Sequence, residues 1–270
     1  MAGETKSNGQ KDYLDRFYTP KEIVKKCLSV INLKEYDCII EPSAGNGSFS
    51  NLIDGCFSYD IAPASKDIIQ ADWLKLDKSI FNRYQSILVI GNPPFGQQNT
   101  LALSFIKESM KFAKTVAFIL PLSFKKISIQ NQIPLEFELK KEIELPNSYF
   151  ILNEKEIFVP CVFQVWERAK QKRSKIKLKT STDLFDFTTK EQADLRIQRV
   201  GGNAGKASTN LDYSKQSNYF IKNKTTKNVE EFCEIINNLV FPNIAFTVGP
   251  KSLSKGELVS VCEENRELFE

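Results

Sequence analysis

The sequence predicts an α/β fold: a mainly parallel sheet covered on both faces, followed by a smaller basic region. Three observations carry this. Short apolar runs at 38–40, 57–59, 86–90 and 115–120 alternate with helical patterns, as strands buried on both faces do. Each of the first three runs ends in a polar or glycine-bearing cluster, which is where open parallel sheets bind ligands. Beyond about Arg168 the composition turns basic and rich in Ser, Thr, Asn and Lys. A length of 270 residues with 41% hydrophobic composition accommodates one large domain and an appendage.

Taken in order, residues 1–15 are polar and read as a flexible arm. Thr19-Pro20 opens a helix, with Thr19 as its cap and Pro20 in the first turn. Ile23, Val24, Cys27, Leu28 and Ile31 then share one helical face. Cys38-Ile39-Ile40 is the first strand and runs into the loop Glu41-Pro42-Ser43-Ala44-Gly45-Asn46-Gly47-Ser48-Phe49. Phe57-Ser58-Tyr59 is the second strand and ends at Asp60. Ile68-Ile69 leads to Asp72-Trp73, and Ser86–Ile90 ends at Gly91-Asn92. Asn99 or Thr100 caps a helix through Ala113, with Leu103, Ile106, Met110 and Ala113 on one face. Thr115–Leu120 is the next strand; 142–145 and 162–166 form a terminal antiparallel pair. In the last region, Leu195–Val200 alternates like a half-exposed strand and Val229–Leu239 reads as an amphipathic helix. The expected division is an arm at 1–15, an α/β domain at 16–168 and a basic α+β region at 169–270.

Composition excludes several chemistries. The chain has no histidine, which removes imidazole-based catalysis and histidine metal sites. Six cysteines at 27, 38, 56, 161, 233 and 262 form no C-x-x-C pair and fit neither zinc nor a disulfide framework. No metal site is expected. No apolar run approaches the ~20 residues of a membrane span, and the polar start lacks a secretion signal, so an intracellular protein is expected. Net charge is only +4, yet residues 168–228 hold fifteen Lys/Arg against five Asp/Glu. The rest is slightly acidic. Such a segment points to a partner of opposite charge.

The chemistry-bearing residues follow from the loops. Gly45 and Gly47 let the backbone turn tightly and approach a ligand. The loop lacks the G-x-G-x-x-G of dinucleotide sites and the Gly-Lys-Ser/Thr of a P-loop. Glu41 can meet an ammonium group, Asp60 can grip ribose hydroxyls, and Asp72 with Trp73 can accept from an adenine amino group and cover its ring. The turn Asn92-Pro93-Pro94-Phe95 is stiff, because each proline fixes its own φ and restricts the residue before it. The Asn92 side-chain oxygen and the Pro93 carbonyl can hold the two hydrogens of an aromatic amino group. Phe95 can stack on the ring. Such an arrangement rehybridises a conjugated nitrogen without needing a metal or an imidazole.

These residues resemble the amino-methyltransferases of the DNA adenine-N6 class over most of residues 12–168. Asp15-Arg16-Phe17-Tyr18-Thr19-Pro20 resembles the family's N-terminal cofactor motif, Glu41–Phe49 its main cofactor loop, and Asn92–Phe95 its catalytic motif. The resemblance implies a Rossmann-like class I methyltransferase with a mostly parallel seven-stranded sheet and S-adenosylmethionine as cofactor. It implies cofactor binding by Tyr18, Thr19, Pro20, Glu41, Ser43, Ala44, Gly45, Gly47, Asp60, Ile61, Asp72, Trp73 and Asn92. It also implies that Phe158 stacks on the second face of a flipped base, whereas Phe150 and Phe163 read as core. The order of motifs, with the basic region last, is similar to the gamma arrangement. Phosphate contacts are expected from Lys170, Lys172, Arg173, Lys175, Lys177, Lys179, Arg196 and Arg199. The expected partner is nucleic acid, with DNA favoured over RNA by the Phe-Tyr-Thr-Pro segment. RNA adenine-N6 methylation, a non-catalytic subunit of a methylation complex and protein glutamine methylation are the rival readings.

Overall fold

The computed structural model describes residues 17–145, 149–152, 155–247 and 250–270. The arm expected at 1–15 lies outside these residues, as do Asp15 and Arg16 of the N-terminal motif. The chain forms two compact units. One is made by the described residues up to Pro121 together with Gln132–Arg173, the other by Leu122–Asn131 with Ser174–Glu270. The break after Arg173 and the crossing of 122–131 into the second unit are not signalled by the composition.

The first unit is built on seven strands: β1 (Cys38–Glu41), β2 (Phe57–Asp60), β3 (Ile69–Gln70), β4 (Ile87–Gly91), β5 (Thr115–Pro121), β6 (Phe137–Leu145) and, after a hairpin of β7 (Tyr149–Leu152) and β8 (Lys155–Phe158), β9 (Cys161–Arg168). The sheet order is β3-β2-β1-β4-β5-β9-β6. The first five strands are parallel, and β9 runs antiparallel between β5 and β6. This is the expected Rossmann-like, mostly parallel seven-stranded sheet. Every residue of β1, β4 and β5 is buried, which explains their uninterrupted apolar runs. Strands are added outward one way from β1 to β3 and the other way from β4 to β5, so the order switches between β1 and β4. A crevice opens at such a switch point beyond the strand ends, and Glu41 and Asn92 lie there.

Helix α1 (Lys21–Leu28) buries Val24 and Cys27 against the sheet core. Pro20, not Thr19, is its N-cap, and no side chain caps it. Thr19 has another task, described below. Helix α2 (Thr100–Met110) buries Leu103, Ile106 and Met110, as its periodicity predicts, and Asn99 is its N-cap.

The second unit contributes a short helix, α3 (Ile127–Gln130), and an antiparallel sheet of β10 (Phe185–Phe187), β11 (Leu195–Gln198), β12 (Ala207–Ser208) and β13 (Asn218–Asn223), ordered β10-β13-β11-β12. Helices α4 (Val229–Asn238) and α5 (Lys255–Glu264) each begin with a capping box, Asn228/Glu231 and Ser254/Glu257. Leu195, Ile197, Ile221, Phe232, Ile236, Leu258 and Cys262 fill a separate core. This is the expected α+β region. The half-exposed reading of Leu195–Val200 is corrected: Leu195, Arg196 and Ile197 are all buried. No helix among the described residues is long and apolar enough to cross a membrane.

Candidate active site

The loop after β1 is shaped by two glycines. Gly45 and Gly47 have φ of 57° and 83°, the left-handed region that glycine enters without strain. A Cβ on Gly45 would stand 3.0 Å from the Tyr18 ring. The glycine therefore allows Tyr18 to close over the loop. Tyr18 is itself held by a two-bond bridge to Ile151 of the β7–β8 hairpin, 3.0 Å in each direction, and Phe17 packs edge-on against buried Phe150.

Two carboxylates set the loop's path. Glu41 is 1% exposed, and its oxygens accept from the amides of Phe49 at 3.2 Å and Ser50 at 2.7 Å. Burial pushes its carboxyl up to about 7, although these amides pull the other way. Asp60 accepts from the amide of Gly45 at 2.8 Å and from that of Ala62 at 2.8 Å. Thus the acids expected to touch ligand also fix the path of the loop.

The loop opens onto a cavity of about 270 Å³. Of the residues expected from sequence, Tyr18, Thr19, Glu41, Ser43, Ala44, Gly45, Asp60, Ile61, Asp72, Trp73, Asn92 and Pro94 line it; Pro20, Gly47, Pro93, Phe95 and Phe158 do not. Pro20 starts α1, Gly47 turns the loop behind it, and Pro93 is buried. Phe95 packs against the sheet core, and Phe158 is exposed on β8. Trp73 is 1% exposed, and its indole N–H donates to Ser109 at 3.3 Å. It rests among Tyr59, Phe81 and Phe112, so its ring belongs largely to an aromatic core beneath the cavity. Leu74, Leu101 and Phe105 also line the cavity, and sequence reasoning missed them. Leu101 and Phe105 are four residues apart on α2, a spacing that places them on one face beside the core stripe.

The lining has a marked sign. Among the described residues it carries three acids, Glu41, Asp60 and Asp72, and no Lys or Arg. A phosphate-bearing cofactor is disfavoured there, and a cationic ligand is favoured. Ile61, Leu74, Leu101 and Phe105 supply apolar walls beside these acids.

Asn92 stands at the crevice floor. Its Nδ2 donates to the Thr19 hydroxyl at 3.1 Å and the Phe17 carbonyl at 3.4 Å. A carbonyl can only accept, so this contact fixes which end of the amide is nitrogen. The Asn92 backbone carbonyl accepts from the Ser43 hydroxyl at 3.2 Å. Its Oδ1 is buried and has no hydrogen-bond partner among the described residues. Such an acceptor costs about 1–3 kcal/mol when left unpaired. Thr19 is thus a positioning residue for Asn92 rather than a helix cap.

The basic set divides. Lys170, Lys172, Lys175, Lys177 and Lys179 are all exposed, and Lys172 pairs with Glu136 at 2.8 Å. Arg173 and Arg196 correct the expectation of phosphate contacts. Arg173 donates to the carbonyls of Phe137 at 2.8 Å and Ile133 at 3.0 Å, and burial holds its guanidinium below the ordinary value. Arg196 is 8% exposed, lies 3.6 Å from the Tyr213 ring centroid, and donates to Asn210 and Asn218 at 2.9 Å each. Both guanidiniums are consumed by backbone carbonyls and aromatic faces. Arg199 is half-buried and lines a different cavity, in the second unit. All six cysteines are free thiols, and no metal-holding group of His, Cys, Asp or Glu occurs among the described residues.

No protein-family model matches the chain, and no curated protein matches it. Solved structures resemble it at low identity. A Pyrococcus horikoshii protein assigned as an RNA methyltransferase has a TM-score of 0.44 and 14% identity over 60% of this chain and 90% of its own. A protein assigned as the modification subunit of a type I restriction enzyme from Vibrio vulnificus has a TM-score of 0.42 and 16% identity over 58% and 45%. The 23S rRNA methyltransferase ErmE has a TM-score of 0.42 and 14% identity over 58% and 71%. One fold hosts many chemistries, so the functional reading rests on the crevice beside Asn92.

Proposed function

We propose that the protein transfers a methyl group from S-adenosylmethionine to the N6 amino group of adenine in DNA, with the target base flipped out of the stack. The observation that carries this reading is the buried, unpaired Oδ1 of Asn92 beside an acidic cavity. An acceptor without a donor fits a ligand that brings N–H groups. An acidic, phosphate-averse cavity fits a ligand whose reactive centre is a sulfonium.

The residues present suit that cofactor. Asp60 follows the second strand, where ribose hydroxyls are gripped. Asp72, with Ile61, Leu74 and Phe105 near it in the lining, offers an acceptor and apolar faces for an adenine ring. Glu41 and the Gly45 turn suit the amino-acid end. When bound, S-adenosylmethionine supplies a methyl group already activated on sulfur. The chain's task is then to position the acceptor. Asn92 Oδ1 and the Pro93 carbonyl accept the two N6 hydrogens and draw the nitrogen toward tetrahedral geometry. Phe95 and Phe158 are the aromatic side chains assigned to the flipped base. The amino proton leaves to solvent, so the absence of histidine is no obstacle.

DNA is favoured over RNA because the Phe17–Pro20 segment resembles the N-terminal motif of the DNA adenine-N6 class. It supplies Tyr18 above Gly45 and Thr19 to Asn92. The test is incubation with labelled S-adenosylmethionine and separate DNA, RNA and protein pools, followed by nucleoside analysis. Label in N6-methyldeoxyadenosine is expected. Label only in N6-methyladenosine would move the assignment to RNA, and label only in glutamine would overturn it.

A further inference from the structure

The second unit contains a cavity of about 420 Å³ that methyl transfer does not use. Three cationic side chains line it: Lys126, Arg199 and Lys255. They come from separate parts of the chain and converge on residues 252–255. Lys126 Nζ donates to the carbonyl and hydroxyl of Ser252 at 3.0 and 2.9 Å. The Arg199 carbonyl accepts from the Leu253 amide at 2.8 Å. Lys255 opens α5. The Tyr219 ring spaces two of the cations, with Arg199 at 5.4 Å and Lys255 at 6.0 Å from its centroid.

No carboxylate among the described residues forms an ion pair with any of the three. Glu257 is the one acid in the lining among the described residues, and its Oε2 accepts from the Ser254 amide at 2.7 Å. The Arg199 Nε is buried and has no acceptor among the described residues. Burial holds the Lys126 ammonium below its ordinary value, and Glu257 offsets only part of this. Three half-buried or exposed cations around one acid repel one another and favour an anion. The first turn of α5, Ser254–Glu257, also lines the cavity and adds the partial positive charge of a helix start.

We propose that this cavity is a phosphate-binding site. Arg199 Nη1 donates to the Gln216 carbonyl at 3.3 Å, so its remaining N–H groups and the two lysines supply the positive charge beside a phosphate. The phosphate belongs either to a nucleic-acid backbone or to a free phosphate or nucleotide. The first source rests on the proposed nucleic-acid substrate; the site itself does not.

The experiment uses the full chain. Thermal unfolding is followed in inorganic phosphate and in chloride of equal ionic strength, for the wild type, Lys255→Gln and Lys126→Gln/Lys255→Gln. Lys255 is exposed, so its variant keeps the test valid if the double variant is unstable. The wild type is expected to gain a phosphate-dependent rise in Tm that Lys255→Gln reduces by half or more. A rise equal in the wild type and Lys255→Gln, or no rise in either, overturns the site. The second arm titrates a fluorescent oligonucleotide across salt concentrations. A salt slope shallower by about one in Lys255→Gln assigns the phosphate to nucleic acid. An unchanged slope with a retained phosphate effect confirms the site for free phosphate or nucleotide. Methyl transfer is assayed in parallel: its failure with phosphate binding intact sinks the proposed function and leaves this site standing.

Discussion

At the scale of single residues, Asn92 and Glu41 carry opposite debts. Asn92 holds an acceptor that no described residue satisfies. Asn92→Ala is expected to lower kcat at least ~100-fold, the scale of one lost transition-state contact, while S-adenosylmethionine affinity changes only a few-fold. Thr19→Val keeps the shape but frees the Asn92 amide, so its loss should be smaller and fall on kcat. Calorimetry paired with single-turnover assays separates the two, and equal loss of binding and rate in Asn92→Ala would contradict its role. Glu41 is buried with its carboxyl raised to about 7 from an ordinary 4.5. A raised carboxyl binds protons more tightly in the folded state. Its contribution is therefore fully present below about pH 4.5 and is lost as pH rises through about 7. Unfolding midpoints measured between those pH values should fall with pH on this residue's account. Glu41→Gln should flatten that slope, and an unchanged slope would show that the carboxyl is not raised.

At the scale of elements, the cofactor loop shows what could be read in advance and what could not. The strands were legible because residues such as Leu88, Val89 and Ile90 have no solvent face, so their hydrophobicity is unbroken. The loop was legible because Gly45 and Gly47 mark left-handed turns. Leu101 and Phe105 were not, since an apolar pair on an amphipathic helix looks like core until a cavity is seen beside it. Arg196 was misread for a related reason: alternation distinguishes faces, but not a solvated guanidinium from one stacked on Tyr213 and bonded to Asn218. The loop also yields a sharp test. Gly45→Ala introduces a Cβ at φ 57°, 3.0 Å from the Tyr18 ring. The left-handed backbone alone costs about 1–2 kcal/mol, and Tyr18 must shift. S-adenosylmethionine affinity should fall about ten-fold or more in calorimetry, while Gly55→Ala, whose Cβ meets nothing within 4 Å, should leave it unchanged. Equal effects of the two would show that the loop's path is not what binds cofactor.

At the scale of the whole molecule, charge separates by task. Among the described residues, acids are the charged residues that line the cavity beside Asn92, whereas residues 168–228 hold fifteen basic residues against five acidic ones. Under the proposed function, the acids suit a cationic cofactor and the basic segment suits a polyanionic substrate. Not every cation in the basic segment serves that end. Arg173 and Arg196 are bonded to backbone carbonyls, while Lys175, Lys177 and Lys179 are exposed. Those three alternate with Ile176 and Leu178, which line the second-unit cavity. These lysines, like Lys170, therefore face solvent, where a phosphate can reach them. Neutralising all three as glutamines should weaken DNA binding at low salt and flatten the slope of log affinity against log salt by up to about 2.7, at roughly 0.9 per phosphate neutralised on a duplex. Stability should hardly change, because exposed charges contribute little. Arg196→Gln should do the reverse, destabilising the second unit through the unpaired Asn218 oxygen and Asn210 carbonyl before it alters any salt slope. If the triple lysine variant keeps the wild-type slope at every salt concentration, the polyanion docks elsewhere, and the charge asymmetry of this segment is a solubility feature rather than a binding surface.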